Sequence, residues 1–540
     1  MDAKINKNKS TKKTLTVPTG NTGNTGNPEN KSKGKLKELS KKSLRDSLDR
    51  KRKNANILTF SNLVKKFHEV INSFPDTRTG TNTSVEIRDA ALGTFSLFFM
   101  QNPSFLDYQK SMQKTKGKNN AQSLFGVYKI LSDNHIRKLM DDVHPSYVFP
   151  MFSFIFDRLC QGGDINEFRS YNDNLLVALD ATDYYSSQAI QCDCCNQAHH
   201  KDKDGNDLGT TYSHKVVTPV IVKPGENKVI SLIPEFVTPQ DGHDKQDCEN
   251  TAAKRWIRTH GPKLKKLGTT LTGDDAYCNQ PLCELMLEEG LDFIVVCKKD
   301  SHKTLYEYLE FLKEDIRTLE KRQLNPGGKG GKGGKGGKSY RIDTYRFLNG
   351  LPLRDGEDAL EVNWCELTTT IEIADVADVA GVAGVAGEDS KDKAAVEEKE
   401  KVKVIYKNAF VTNVEITKEN VKQIAADGRA RWKVENENNN VLKTKGYHLE
   451  HNFGHGKKNL SALFLTFNIL AFLVHTVLDI MDEKYQLIRR ELPSRMTFFS
   501  DLRALTRYIY FETWDELMNF MLRGLELKLK AADVLEGSGL

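Results

Sequence analysis

Apolar residues follow two different spacings along the chain, and the spacing changes near residue 174. Between Ile57 and about Arg169, segments such as LVKKFHEVI and AALGTFSLFFM place apolar residues three and four positions apart, which is typical of helices. From Asn174 onward, LLVALD, YSHKVVTPVIV and KVISLIPEFV are short runs rich in Val and Ile, which predict three adjacent strands. A helical domain over residues 56–170 is therefore expected to precede a strand-containing domain.

The strand-containing segment continues with alternating helices and strands. The stretch DCENTAAKRWIRTH predicts a helix, TTLTGDD a strand, CELMLEEG a second helix and DFIVVCK a further strand. This order matches a ribonuclease-H-like α/β core, in which the first and fourth strands bring their acidic residues side by side. We expect the first part of the core over residues 171–300 and its helical completion over residues 426–540.

Residues 301–425 interrupt this core and are expected to form a β-rich insertion. Strands are predicted at DTYRFLN, VNWCELTTTIEI and VKVIYKNAFVTN. Two low-complexity tracts, at residues 327–338 and 375–389, are expected to be mobile. Trp364, inside the second predicted strand, fits either core packing or stacking on a displaced base.

Length and charge limit the class of protein. A chain of 540 residues is too long for one compact core, so two or three domains are expected. Residues 1–55 are polar and rich in Lys, with an NTGNTGN repeat, which predicts a disordered basic arm. This arm suits contact with DNA phosphates, although a solvated tail explains it equally well.

The setting of the protein follows from its cysteines and its most apolar stretch. Nine Cys without a regular framework and the absence of a secretory signal indicate a reducing, cytoplasmic environment. The stretch SALFLTFNILAFLVHTVL approaches the length of a membrane span, but Asn468 and His475 interrupt it. We therefore expect a buried core helix there and no membrane partner.

Three carboxylates stand where the predicted fold lets them converge. Asp180 ends the first strand, Asp274 ends the fourth, and Glu435 lies on a presumed helix. A buried acid is costly unless something compensates it, and a divalent cation shared with other carboxylates is a common compensation. Carboxylates suit Mg²⁺ or Mn²⁺, and two such ions can support in-line displacement at a phosphodiester. The trio therefore predicts metal-dependent phosphodiester chemistry.

The chain resembles the DDE transposases of bacterial insertion sequences, in the branch with a β-rich insertion before the final Glu. The resemblance rests on ALDATDYYSSQAI, PEFVTPQDGHDKQDCE, LTGDDAY, GRARWKVENENNNVLKTKGYHLEHNFGHG and DLRALTRYIYF. It implies that Asp180, Asp274 and Glu435 bind two metal ions, and that the protein cleaves the ends of an insertion sequence and transfers them to target DNA. It also implies double-stranded DNA partners (terminal inverted repeats and target DNA), a homodimer on DNA and association with the bacterial nucleoid.

Neighbouring acids compete for the metal-binding roles. The resemblance favours Asp274 because Tyr277 follows it by three residues, and it favours Glu435 because a Trp, an apolar residue, Glu and Asn stand there in the expected pattern. The competing residues are Asp183, Asp275 and Glu437.

Basic residues near Glu435 are candidate contacts to DNA phosphates. Arg431 lies four residues before Glu435, on the same helical face, so it can hold a phosphate beside the metals. Relatives place a Lys seven residues after the Glu, whereas here Lys443 is eight residues after it, which leaves its role open. For both, ordinary helix surface charge is the alternative.

A loop after the acidic helix, GYHLEHNFGHGKKN, offers further candidate contacts to the DNA backbone. Packing of a hydrogen-bonded loop against the core is the alternative for this segment. The predicted contacts are His451, His455, Lys457 and Lys458.

A cysteine and histidine cluster lies between the first two predicted strands. Cys192 and Cys195 form a C-x-x-C pair, and His199 and His214 follow, which makes these four residues candidate ligands of a structural Zn²⁺. Reduced thiols in a loop are the alternative interpretation.

Two other functions remain open. The chain can be a catalytically inactive, domesticated DNA-binding protein that still occupies terminal repeats, or a structure-selective nuclease without strand transfer. The intact acidic trio argues against the first, because clustered carboxylates with no metal to bind only destabilise a fold.

Overall fold

The computed structural model describes residues 49–51, 53–79, 85–239, 247–324, 339–373 and 402–529. The low-complexity tract at residues 375–389 and the one at residues 327–338 lie outside the described residues, as does most of the predicted disordered arm. The end of that arm differs from the expectation, because residues 49–51 and 53–57 are helical. Asn54 is buried there and donates a hydrogen bond to Asp164 at 2.6 Å, which ties the segment to the helical region.

Six further α-helices precede the first strand in the described part of this region. Thr59, Ser104 and Ser132 cap three of them by accepting a hydrogen bond from a backbone N–H of the first turn. The helices are α1 Phe60–Ile71, α2 Ile87–Phe99, α3 Phe105–Met112, α4 Thr115–Phe125, α5 Asp133–Met140 and α6 Phe149–Gly162.

Thirteen strands in the described residues form two sheets. Their bounds are β1 Leu175–Ala178, β2 Ala181–Ser187, β3 Asn196–Lys201, β4 Asp207–Val217, β5 Val220–Val222, β6 Ile230–Ser231, β7 Glu235–Val237, β8 Thr269–Gly273, β9 Asp292–Val296, β10 Arg317–Leu324, β11 Ser339–Pro352, β12 Glu361–Ile373 and β13 Val402–Thr412. The main sheet has the order β10-β11-β12-β13-β9-β8-β1-β5-β6, and the second has the order β2-β4-β3 with β7 also paired to β4.

The centre of the main sheet is the predicted α/β core. Strands β1, β8 and β9 are mutually parallel neighbours, and β5 and β6 continue the sheet antiparallel on the other side of β1. Helices α7 (Glu249–Leu267) and α8 (Gln280–Glu288) make the connections to β8 and β9. The residues of β1 and β8 are all buried, as expected of parallel strands covered on both faces. The ribonuclease-H-like order is confirmed.

The expectation of three adjacent strands after residue 174 is wrong in one respect. YSHKVVTPVIV is split between β4 in the second sheet and β5 in the main sheet, and KVISLIPEFV is split between β6 and β7. Pro219 and Pro234 stand at the two breaks, where a residue without an N–H cannot continue a ladder. Residues 181–217, which hold β2, β3 and β4, therefore belong to the second sheet, and we call them the β-arm.

The insertion extends the main sheet. After α9 (Lys303–Phe311), the four strands β10, β11, β12 and β13 pair antiparallel in that order. The last of them, β13, pairs with β9 of the core. The three predicted strands are confirmed as β11, β12 and β13, whereas β10 was not predicted because its sequence RTLEKRQL is polar and almost wholly exposed. Trp364 is 1% exposed, so core packing is confirmed for it and base stacking is wrong.

The C-terminal helices share one core with the N-terminal ones. The ring centroids of Phe67 and Phe467 lie 5.7 Å apart, and those of Phe98 and Phe464 lie 6.2 Å apart. These helices are α10 Val421–Ala430, a π-helical turn Val434–Asn439, α11 Asn440–Thr444, α12 Leu460–Met481, α13 Glu483–Glu491, α14 Arg495–Tyr508 and α15 Trp514–Gly524.

The apolar helix α12 lies at the centre of this shared core. By length and composition alone it passes as a membrane span, yet 89% of its most apolar window is buried inside the protein. The predicted buried core helix is confirmed.

Close packing between α10 and the insertion predicts an effect of one substitution. A Cβ at Gly428 of α10 would lie 2.6 Å from a ring carbon of Phe410 on β13. We expect Gly428→Ala to lower the free energy of unfolding by about 1–3 kcal/mol, because the ring has to move within a packed core. Thermal unfolding of the full chain measures this loss.

Gly524→Ala is the matched control, because a Cβ there has no neighbour within 4 Å. Its midpoint should equal that of the natural chain or exceed it slightly. Equal midpoints for Gly428→Ala and the natural chain would contradict the packing described.

Candidate active site

Parallel pairing of β1 with β8 places two acidic residues at one edge of the main sheet. Ala178 pairs with Thr272, and the N–H of Leu179 donates to the carbonyl of Thr272 at 2.8 Å. Asp180 and Asp274 each follow their paired residue by two positions, so they leave neighbouring strands at the same level and on the same face. Both side chains are half-buried.

Glu435 supplies a third carboxylate from the π-helical turn Val434–Asn439. Val434 is buried, whereas Glu435 is exposed on the opposite side of the turn. Burial raises the pKa of Asp180 to about 7, the charges of Asp274 and Glu435 add to this effect, and Arg431 opposes it. The three predicted acidic residues thus share one electrostatic environment.

Glu249 is a fourth carboxylate in this environment, and the sequence analysis did not identify it. It is the first residue of α7, and after burial its charge contributes most to the raised pKa of Asp180. Burial also raises the pKa of Glu249 and the charge of Asp274 adds to it, whereas the Tyr277 hydroxyl and a hydrogen bond from the backbone N–H of Ala181 lower it. Glu249 therefore lies between the ends of β1 and β8.

Buried amide side chains fix the position of Asp180. The Nδ2 group of Asn439 donates to Oδ2 of Asp180 at 3.2 Å. Oδ1 of Asn439 accepts hydrogen bonds from Thr218 at 2.9 Å and from Asn438 at 2.9 Å, and Oδ1 of Asn438 accepts one from Ser231 at 3.0 Å. The turn that carries Glu435 is thereby connected to the strand that carries Asp180.

The acids that compete with Asp180 and Asp274 are arranged differently. Asp275 accepts hydrogen bonds from the backbone N–H of Lys298 at 2.7 Å and from the hydroxyl of Ser301. Its carboxylate therefore holds the loop after β9, whereas Oδ1 of Asp274 accepts only a local bond from the N–H of Ala276 at 2.9 Å. Asp183 is exposed on β2. This geometry favours Asp274 over Asp275, as the sequence pattern does.

Arg431 lies at the end of α10, beside the carboxylates. Together with Trp432 and Tyr406 it lines a surface cavity of about 320 Å³. Its charge is the one that lowers the pKa of Asp180, so the guanidinium is close enough to act on the site. Contact with a DNA phosphate stays a prediction for this residue.

The other predicted basic contacts lie on the surface. Lys443 forms an ion pair with Glu450 at 2.9 Å, and Lys458 forms one with Asp142 at 2.7 Å. Lys457 is exposed. The Lys458 pair is exposed and therefore weak, so its ammonium group can exchange its partner for a phosphate, whereas Lys443 is half-buried. Their role in binding DNA stays a prediction.

The two histidines predicted to contact DNA differ in position. His451 is exposed, with its ring 4.6 Å from that of Phe453, and its predicted role is unchanged. His455 is only 7% exposed, and its Nε2 atom lies 3.0 Å from Nε2 of His214. The prediction that His455 contacts the DNA backbone is therefore wrong, because its ring faces the interior.

Three of the four predicted zinc ligands lie together, and His455 takes the place predicted for His199. Cys192, Cys195 and His214 lie within 4.8 Å of one another through their ligand atoms, and His455 is the fourth member of the group. His199 is not, because it lies on the exposed part of β3 and its Nδ1 atom is 2.8 Å from the hydroxyl of Thr210.

The amide network around Asp180 predicts a loss of stability on truncation. Asn439→Ala removes three hydrogen bonds and leaves buried polar partners unpaired, so we expect the free energy of unfolding to fall by about 1–3 kcal/mol. Asn440→Ala is the control, because Asn440 is exposed and bonds only to Asn436 on its own helix. Comparable thermal midpoints for the two variants would contradict a buried network.

Comparison with known protein families identifies one domain within the chain. Residues 227–473 match the family described as Transposase DDE domain. The match begins before β6 and ends inside α12, so it contains Glu249, Asp274 and Glu435, while Asp180 precedes it. No curated protein matches the chain. With acidic residues at the strand ends of a ribonuclease-H-like core, the chain therefore contains a transposase DDE domain, the domain of DNA-cleaving enzymes of transposition.

Proposed function

We propose that Asp180, Asp274 and Glu435 bind two Mg²⁺ or Mn²⁺ ions and that the protein cleaves the ends of an insertion sequence and transfers them to target DNA. The observation that supports this most directly is the convergence of the three carboxylates at one sheet edge, inside a chain with a transposase DDE domain. The metal ions, the strand-transfer step and the residues responsible go beyond what the transposase DDE domain alone implies.

The donor set fits a hard divalent cation. Carboxylates surround Asp180. Burial raises the pKa of Asp180 most, and the charges of Glu249, Asp274 and Glu435 add to this effect, which the charge of Arg431 alone does not offset. When bound, two such ions activate the attacking oxygen and stabilise the leaving oxygen of the phosphodiester. Asp180 and Asp274 would hold the ions from the sheet, and Glu435 from the helix.

Residues outside the trio have supporting roles in this proposal. Asn439 orients the Asp180 carboxylate through its hydrogen bond to Oδ2. Arg431 is placed to bind a phosphate beside the carboxylates, because its charge already acts on Asp180. Asp275 keeps the loop after β9 in position next to Asp274.

Double-stranded DNA is the proposed partner, both as terminal inverted repeats and as target. The net charge of +6 favours association with phosphates, and Lys443, His451, Lys457 and Lys458 follow the helix that carries Glu435. The helical region of residues 56–170 would grip DNA next to the core. Joining two ends requires at least a homodimer on the DNA, and the same partner implies a cytoplasmic, nucleoid-associated protein.

Substitution of the trio tests the proposal. We expect Asp180→Ala, Asp274→Ala and Glu435→Ala each to lower cleavage of DNA that carries the element's own ends by about 10⁴-fold or more in Mg²⁺, because a catalytic unit fails when any member is lost. DNA binding, measured by electrophoretic mobility shift, should persist. Asp183→Ala and Glu437→Ala are matched controls that remove neighbouring acids and should retain cleavage.

The same assay separates the alternatives. Cleavage followed by joining of paired ends to a target supports transposition, whereas cleavage without joining indicates a nuclease. Binding of the ends without any cleavage indicates a decayed, DNA-binding copy. Loss of cleavage in Glu437→Ala, with activity retained in Glu435→Ala, would move the third role to Glu437.

We further propose that Glu249 assists metal binding as a fourth carboxylate. We expect Glu249→Gln, which keeps the shape but removes the charge, to lower the cleavage rate about 10- to 100-fold at limiting Mg²⁺ and to recover as Mg²⁺ is raised. Glu437→Gln should leave the Mg²⁺ dependence unchanged. An unaltered Mg²⁺ dependence in Glu249→Gln would limit this residue to a structural role.

A further inference from the structure

Two cysteines and two histidines from three separate segments meet away from the acidic site. Cys192 and Cys195 lie between β2 and β3, His214 lies on β4, and His455 lies in the segment between α11 and α12. Cys195 is 1% exposed and His214 is 3% exposed. Such a group is unusual for free thiols, which are seldom gathered with two buried imidazoles unless they bind something.

Five of the six distances between ligand atoms are close to those of a tetrahedral site. Zn²⁺ with two thiolates and two imidazoles places its ligand atoms about 3.8 Å apart for two sulfurs, about 3.6 Å for sulfur and nitrogen, and about 3.3 Å for two nitrogens. In the protein, Sγ of Cys192 lies 3.8 Å from Sγ of Cys195, and each sulfur lies 3.5 Å from Nε2 of His214. Sγ of Cys195 lies 3.4 Å from Nε2 of His455, and the two Nε2 atoms lie 3.0 Å apart.

The orientation of the His455 ring suits metal binding through Nε2. Its Nδ1 atom lies 3.0 Å from the carbonyl oxygen of Gly456, which can only accept a hydrogen bond. An N–H at Nδ1 satisfies this contact, and Nε2 then faces His214 and the two cysteines. A backbone carbonyl on the far nitrogen is the usual outer partner of a metal-binding histidine.

Aromatic rings pack against both histidines of the group. The ring of Tyr185 packs 4.4 Å from that of His455, and the ring of Tyr184 stacks 5.6 Å from that of His214. The backbone N–H of Cys192 points to Sγ of Cys195 at 3.4 Å, a contact that stabilises a thiolate. Sulfur and nitrogen ligands select Zn²⁺ and disfavour Mg²⁺, so this group is chemically distinct from the carboxylates.

We propose that Cys192, Cys195, His214 and His455 bind one structural Zn²⁺ that holds the β-arm against the segment between α11 and α12. The β-arm starts at Ala181, directly after Asp180, and the segment between α11 and α12 follows the turn that carries Glu435. The zinc would close a loop of 241 residues between His214 and His455, which is a long-range constraint on the unfolded chain. This inference does not depend on the proposed catalytic metals.

Hydrogen bonds to Asp141 also hold the segment that contains His455. The carboxylate of Asp141, at the end of α5, accepts hydrogen bonds from four consecutive backbone N–H groups, those of residues 457–460. The segment with His455 is thus held on one side by the helical region and would be held on the other by the zinc.

Metal analysis of the full-length natural chain tests the proposal. The protein is purified without immobilised-metal resin or chelator, and its zinc content is measured by plasma mass spectrometry. We expect about one zinc per chain, with most of it lost in Cys195→Ser and in His455→Ala. Cys194→Ser and His199→Ala are matched controls that should keep the metal, because neither residue belongs to the group.

A measurement on the natural chain covers the case in which ligand variants fail to fold. Replacement of zinc by Co²⁺ should give the strong visible bands of a tetrahedral site and thiolate-to-cobalt charge transfer in the near ultraviolet. A natural chain without zinc, a weak six-coordinate cobalt spectrum, or equal loss of zinc in Cys194→Ser would each overturn the proposal.

Discussion

Parallel pairing between β1 and β8 is the constraint on which the rest of the site depends. It fixes Asp180 and Asp274 at the same level on adjacent strands, where the charge of Asp274 adds to the effect of burial in raising the pKa of Asp180. Glu249 from α7 and Glu435 from the π-helical turn add to this charge, and Arg431 offsets only part of it. Such a concentration of carboxylates favours a bound cation, and the proposed divalent metals would supply the compensation while serving phosphodiester chemistry.

The remaining parts of the chain determine where Glu435 lies relative to the strands. The insertion ends in β13, which pairs with β9 and contacts α10 through Phe410 and Gly428. Beyond the turn, α12 packs in one core with the N-terminal helices, and Val434 of the turn that carries Glu435 belongs to the same core. Asn438 and Asn439 complete the arrangement by joining the turn directly to the strands. The third carboxylate is therefore positioned by long-range packing.

Local patterns predicted those features that depend on neighbouring residues. The order of strands and helices, the acidic residues at strand ends and three strands of the insertion all follow from spacing and β-propensity. Glu249 was missed because a Glu in the first turn of a helix is common, and only the tertiary fold places it beside β1. His199 was chosen over His455 because it is near the C-x-x-C pair in sequence, whereas the fold brings His455 across 260 residues to Cys195. Sequence spacing carries no information about such distant partners.

A crystal structure of the chain bound to its cleaved end DNA with Mn²⁺, recorded at the manganese absorption edge, most directly tests whether Asp180, Asp274 and Glu435 bind two metal ions. Two anomalous peaks roughly 4 Å apart are expected between Asp180, Asp274 and Glu435, next to the DNA 3′ end. Peaks coordinated by Asp275 or Glu437 instead, or DNA bound with no manganese at the strand ends, would contradict it.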